Sequence, residues 1–123
     1  MSKIRPPELD EQLAADDSLY VLDIRSAEEF QQTHIDGSHN VPVYDELRRG
    51  TEAELRRSIA EIPDGASVVT VCKAGIVARN ATAILEEEGY DAATLAGGMR
   101  GWNGYQNGSI GYRVMATIGR LLP

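Results

Sequence analysis

The chain carries one cysteine, Cys72, among 123 residues. It follows the run Ser67-Val68-Val69-Thr70-Val71 and precedes Lys73-Ala74-Gly75-Ile76-Val77. The nucleophilic form of a cysteine is the thiolate, which helix N-termini and nearby cations favour over the thiol. Where a strand gives way to a helix, successive backbone N–H groups can curl into an anion-binding nest. Lys73, Ala74, Gly75, Ile76 and Val77 are placed to form such a cradle for the sulfur. Gly75 supplies the backbone freedom of a tight loop, and Lys73 and Arg79 bring positive charge close in sequence. That chemistry needs a sulfur both ionised and exposed. The competing reading is a small hydrophobe closing a strand, the role of most free cysteines.

Positioning a thiol at a strand end calls for a sheet, and the rest of the chain supplies one. Short β-type runs alternate with helical patterns and turn signals, which predicts an α/β fold built on a mainly parallel sheet. Sites in such sheets gather beyond the carboxyl ends of the strands, where Cys72 falls. After Pro6 and Pro7, Leu9 and Leu13 stand four apart in a short amphipathic helix over 8–15, a lid on the sheet. Leu19-Tyr20-Val21-Leu22-Asp23-Ile24 reads as a buried parallel strand with a polar exit at Asp23 and Arg25. Ser26 with Glu29 three residues on is a capping-box signature for a helix over 27–33, anchored by Phe30.

Asp36-Gly37 turns the chain into a short strand over 40–43, which Pro42 confines to an edge or a terminus. Residues 44–62 are predicted mostly helical, with Arg48, Arg49, Arg56 and Arg57 interleaved with Glu52, Glu54 and Glu61 on a solvated face. Pro63-Asp64-Gly65 breaks the chain before 67–71, whose valines and threonine predict the central strand. A helix over 78–88 turns Ala81, Ile84 and Leu85 to the core and ends at Gly89. A last strand over 91–95 precedes Gly97-Gly98 and a short helix over 99–102.

Composition narrows the function classes. With 42% hydrophobic and 25% charged residues the chain is an ordinary globular domain, which excludes collagen-like, disordered and disulfide-framework classes. Twelve basic against nineteen acidic residues leave a net charge of −7, which repels phosphate backbones and anionic lipid, so neither nucleic acid nor membrane is an expected partner. No apolar run approaches the ~20 residues of a membrane span, and the start of the chain lacks the apolar stretch of a secretory signal. The expected location is cytoplasmic, where reducing conditions keep a lone thiol free.

Four blocks in order between residues 20 and 103 resemble the rhodanese family of single-domain sulfurtransferases. They are Leu22-Asp23-Ile24-Arg25 with Glu28-Glu29-Phe30; His34-Ile35-Asp36-Gly37-Ser38; Val71-Cys72-Lys73-Ala74-Gly75; and, after Leu85 and Gly89-Tyr90, Leu95-Ala96-Gly97-Gly98-Met99-Arg100-Gly101-Trp102. The resemblance implies a three-layer fold with helices on both faces of the sheet, over residues 1–105. Residues 106–123 form an extension on which Ile110, Val114, Ile118, Leu121 and Leu122 share a helical stripe, packing on the domain or making an interface, in a monomer or homodimer.

The resemblance also implies an activity. Cys72 takes sulfane sulfur from thiosulfate or a persulfide, carries it as a persulfide, and passes it to cyanide or to a thiol that is small or borne by a protein. No metal and no cofactor are implied. Asp23 and Arg25 would either brace the active loop or form a plain structural ion pair, and Arg79 is a third supporting residue. His34 is expected to tie a turn, since a thiolate ionised by its loop needs no general base. Gly97, Gly98 and Trp102 read as packing residues.

Two departures bear on substrate. Many active members have Arg then Ser at the fifth and sixth positions after the cysteine, where this chain has Val77 and Ala78. Recognition of thiosulfate would then rest on Lys73 and Arg79, and the apolar edge Ile76-Val77 points to a thiol, polysulfide or protein donor. Two alternatives stand beside the enzyme reading. One is a non-catalytic binding or sulfur-relay module. The other is a phosphatase or arsenate reductase on the same fold, whose loop reads Cys, five residues, Arg; here the first arginine, Arg79, comes after six residues.

Overall fold

A computed structural model describes residues 2–15 and 18–108. Five strands form one sheet in the order β1-β5-β4-β2-β3, and every pairing is parallel. In chain order the elements are β1 (Lys3–Ile4), α1 (Pro6–Ala15), β2 (Leu19–Asp23), α2 (Ala27–Gln32), β3 (His39–Asn40), α3 (Tyr44–Arg48) and α4 (Ala53–Ser58). There follow β4 (Ser67–Val71), α5 (Ala78–Glu87), β5 (Asp91–Leu95) and α6 (Gly98–Asn103). The strand over 67–71 is central, flanked by β2 and β5.

Parallel strands bury both faces, and their side chains alternate between two apolar layers. Leu22 and Val68 face a core with Leu47, Leu55, Ala81, Ile84 and Leu85 from α3, α4 and α5. Val21, Val69 and Val71 face the other, with Leu9 from α1 and Met99 and Trp102 from α6. This is the three-layer α/β arrangement, with helices on both faces. The helix over 6–15 covers the sheet through Leu9, which is fully buried, and the hydroxyl of Tyr105 donates to Asp10 Oδ2 at 2.7 Å.

Several local expectations change. The strand β1 is absent from the sequence reading; two residues are too short for a period, and it pairs only through Lys3 with Thr94 and Ile4 with Leu95. The edge strand β3 is His39–Asn40 instead of 40–43, because Pro42 has no N–H to donate and the Val43 N–H turns back to Val41 O. Residues 44–62 are helical in three pieces, broken at Gly50 with φ of 86° and closed by a 3₁₀ turn over Ile59–Glu61. No residue of α2 is fully buried, so Phe30 is not a core anchor; it is half-buried and stacks on His34 with ring centroids 4.0 Å apart. The stripe of Ile110, Val114, Ile118, Leu121 and Leu122 lies outside the described residues.

Candidate active site

The sulfur of Cys72 lies just past the carboxyl end of β4 and accepts two main-chain hydrogen bonds. The Gly75 N–H donates at 3.2 Å and the Ala78 N–H at 3.4 Å. One donor comes from the loop, the other from the first residue of α5, where a helix leaves its N–H groups without intrahelical partners. Gly75 has φ of 82°, a left-handed conformation open to glycine, and a Cβ there would come within 3.0 Å of Gly97 N and Leu95 O. Of the cradle residues named from sequence, only Gly75 donates to the sulfur among the described hydrogen bonds; Ala78 was missed as a donor.

The back of the loop is held by α6. Met99 N–H donates to Cys72 O at 2.8 Å and Arg100 N–H to Lys73 O at 3.0 Å. So close an approach requires Gly98: its φ is 57°, and a Cβ there would lie 2.3 Å from Cys72 O. Gly98 therefore does more than pack. It lets the first turn of α6 take up the loop carbonyls.

The sulfur is not exposed, contrary to the sequence expectation. Cys72 is 1% exposed and shares an apolar cluster with Val77 and Ala78, which occupy the places of the missing polar residues. Burial of this kind is tolerable for sulfur because the two N–H groups remain turned toward it. Among the described residues, Ile76 alone of the large hydrophobics stands out into solvent, at 62%, on the tip of the same loop.

Both expected cations have partners away from the sulfur. Lys73 Nζ lies 3.5 Å from Glu29 Oε1 and 5.7 Å above the Tyr44 ring. It lines a cleft of about 260 Å³ with Ser26, Glu29, Pro42, Tyr44 and Asp45. Arg79 is exposed, and its Nε–H donates to Ile76 O at 3.4 Å. Two of the larger cavities lie elsewhere: one of about 530 Å³ by Tyr20, His39 and Asp64, the other of about 590 Å³ by Asp10, His34 and Asn103. Neither is lined by Cys72 or its loop. The nucleophile's position decides the site, and volume does not.

Asp23 and Arg25 form a buried forked ion pair, with Arg25 Nη2 to Asp23 Oδ2 at 2.8 Å and Nε to Oδ1 at 3.0 Å. The guanidinium also donates to Thr33 O at 2.6 Å. These bonds tie β2 to the end of α2, and none among those described reaches residues 72–77. The link from β2 to the nucleophile's strand is through backbone, Ile24 N–H to Val71 O at 2.9 Å. His34 Nδ1 lies 2.7 Å from Phe30 O.

The sequence profile of the Rhodanese-like domain matches residues 5–105. The thiosulfate sulfurtransferase PspE of Escherichia coli (strain K12) is 35% identical over 81 residues, which cover 64% of this chain and 69% of PspE. The Zea mays adenylyltransferase and sulfurtransferase MOCS3-1 is 31% identical over 83 residues, or 67% of this chain; the chain spans only 17% of that protein. A solved Rhodanese-like domain protein from Staphylococcus aureus shares the fold, with a TM-score of 0.69 and 24% identity over 83% of this chain and 91% of that one. The matched segment runs from α1 through α6 and takes in every element that positions the thiol, and the chain accordingly belongs to the rhodanese-like domain family.

Proposed function

We propose that this chain is a sulfurtransferase that moves sulfane sulfur through a persulfide on Cys72. The observation that carries the reading is the pair of N–H groups, from Gly75 and Ala78, aimed at one sulfur. Hydrogen bonds to an ionised acceptor are roughly twice as strong as neutral ones, so both donors gain strength as charge collects on the sulfur during transfer. In the first step the Cys72 thiolate lone pair forms a bond to the outer sulfur of the donor. The donor's own S–S bond breaks, and its electron pair leaves on sulfite or on a thiolate. In the second step an acceptor thiolate or cyanide takes the outer sulfur, and the electron pair of that bond returns to Cys72. Two displacements balance without an external oxidant or reductant.

These 123 residues hold no second cysteine to discharge the persulfide, so the acceptor lies outside them. The name of MOCS3-1 pairs a sulfurtransferase with an adenylyltransferase, and this likeness supports a second activity downstream of the sulfur transfer. For the donor, the pairing of Lys73 with Glu29 offsets the nearest cation a small dianion would meet, while exposed Ile76 favours an apolar neighbour. A thiol persulfide is the better donor on this basis. The outer sulfur of a persulfide stands about 2 Å beyond Sγ, which gives a buried carrier its reach.

Thiocyanate release in cyanide tests both statements. Wild type should turn over glutathione persulfide faster than thiosulfate, and Cys72→Ser should turn over neither. A strong preference for thiosulfate would overturn the donor assignment alone; no turnover of either would overturn the enzyme. The second reading, a binding or relay module, draws on the burial of Cys72 and is favoured by that last outcome. A phosphatase reading loses support because Arg79, the one arginine near the loop in sequence, turns to Ile76 O.

A further inference from the structure

We infer that three buried threonine hydroxyls form a one-way chain that positions the Ala78 N–H against the sulfur. Thr70 Oγ1 donates to Ala78 O at 3.1 Å and lies 2.8 Å from Thr82 Oγ1, which lies 2.7 Å from Thr94 Oγ1. A hydroxyl has one proton to give. Thr70 gives its proton to Ala78 O, so Thr82 must donate to Thr70, and Thr94 in turn to Thr82. The chain therefore runs from β5 through α5 to β4 and ends on residue 78, which sends its own N–H to Cys72 Sγ.

Two further observations give the chain a task beyond packing. All three residues are 0–1% exposed, and Thr70 shares the α5-facing side of β4 with Val68; a position needing only bulk would hold valine, with no buried hydroxyl to satisfy. The start of α5 also lacks the usual local restraint. Its cap, Val77, makes no side-chain hydrogen bond to the first turn. The only side-chain hydroxyl described on Ala78 is the one reaching across from Thr70. Thr70, Thr82 and Thr94 are positioning residues, since none touches the sulfur itself.

This inference rests on Cys72 being the sulfur carrier, and it deepens that reading. The test measures the rate at which Cys72 gains sulfur from glutathione persulfide, by intact mass, in wild type, Thr70→Val and Thr70→Ser. Thermal unfolding is measured in parallel. Thr70→Val should load about 5–10-fold more slowly, because a donor displaced from a reacting atom loses much of its effect, while Thr70→Ser stays within about twofold of wild type. Exchange of the Ala78 amide proton should quicken in Thr70→Val and not in Thr70→Ser. A lower melting temperature with wild-type loading and exchange would overturn the inference and leave the sulfurtransferase intact; wild type that gains no sulfur would overturn both. Should Thr70→Val not fold, wild type decides by NMR: loading should shift the Ala78 amide and the Thr70 hydroxyl protons together, and an unmoved Thr70 hydroxyl would overturn the inference.

Discussion

Two N–H groups directed at one buried sulfur separate Cys72 from an ordinary core cysteine, which would ask for neither. Its type and its place after β4 were legible in the sequence, as were Gly75 and the Asp23–Arg25 pair. What was not legible is where the cations go. Spacing puts Lys73 beside the sulfur, but an extended side chain follows the nearest carboxylate, and Glu29 reaches it across the cleft. Glu29→Gln should therefore release Lys73 and lower KM for thiosulfate about two- to fivefold with kcat unchanged, a change within the range of an exposed ion pair, as steady-state kinetics would show. An unchanged KM would mean that Lys73 does not meet the donor. The ion pair of Asp23 and Arg25 has a structural task. Arg25→Met leaves the Asp23 carboxylate buried without its fork and should cost about 3–5 kcal/mol by urea denaturation, with sulfur loading by the folded protein close to wild type.

The active loop is shaped by two helices that the sequence shows unequally. The helix α5 is readable from its apolar face of Ala81, Ile84 and Leu85, yet nothing in that period says that its first N–H meets a thiol. The glycines before α6 signal a turn. Their real requirement is a close approach of backbones, with the carbonyls of Cys72 and Lys73 taken by Met99 and Arg100. A pattern of residue types does not carry contacts between segments some 25 positions apart, and for this reason Gly98 read as packing. Gly98→Ala places a methyl against Cys72 O in a left-handed conformation. It should destabilise the protein by about 2 kcal/mol or more and slow sulfur loading in the fraction that remains folded. Chemical denaturation with parallel loading assays checks this, and normal loading at full stability would show that α6 does not shape the loop.

The whole domain was legible as a parallel α/β sheet because 67–71 and 19–24 are strongly apolar and β-branched, whereas β1, at two residues, carries no period to read and β3, equally short, was legible as a strand but not in its bounds. The charge of the molecule adds a prediction of its own. With a net charge of −7, and Glu29 and Asp45 against the single Lys73 in the cleft, the field opposes a small dianion. Raising the ionic strength should increase kcat/KM for thiosulfate by screening that repulsion over the ~10 Å Debye length, and should change the rate with a neutral organic persulfide little. A fall with salt for thiosulfate would show instead that cations govern its binding. The claim beneath all of these is that Cys72 itself carries the sulfur. Intact mass spectrometry after incubation with glutathione persulfide, then with cyanide, addresses it most directly. Wild type should gain one sulfur atom and lose it to cyanide while Cys72→Ser gains none; an unchanged wild-type mass, or an equal gain on Cys72→Ser, would show that Cys72 is not the carrier.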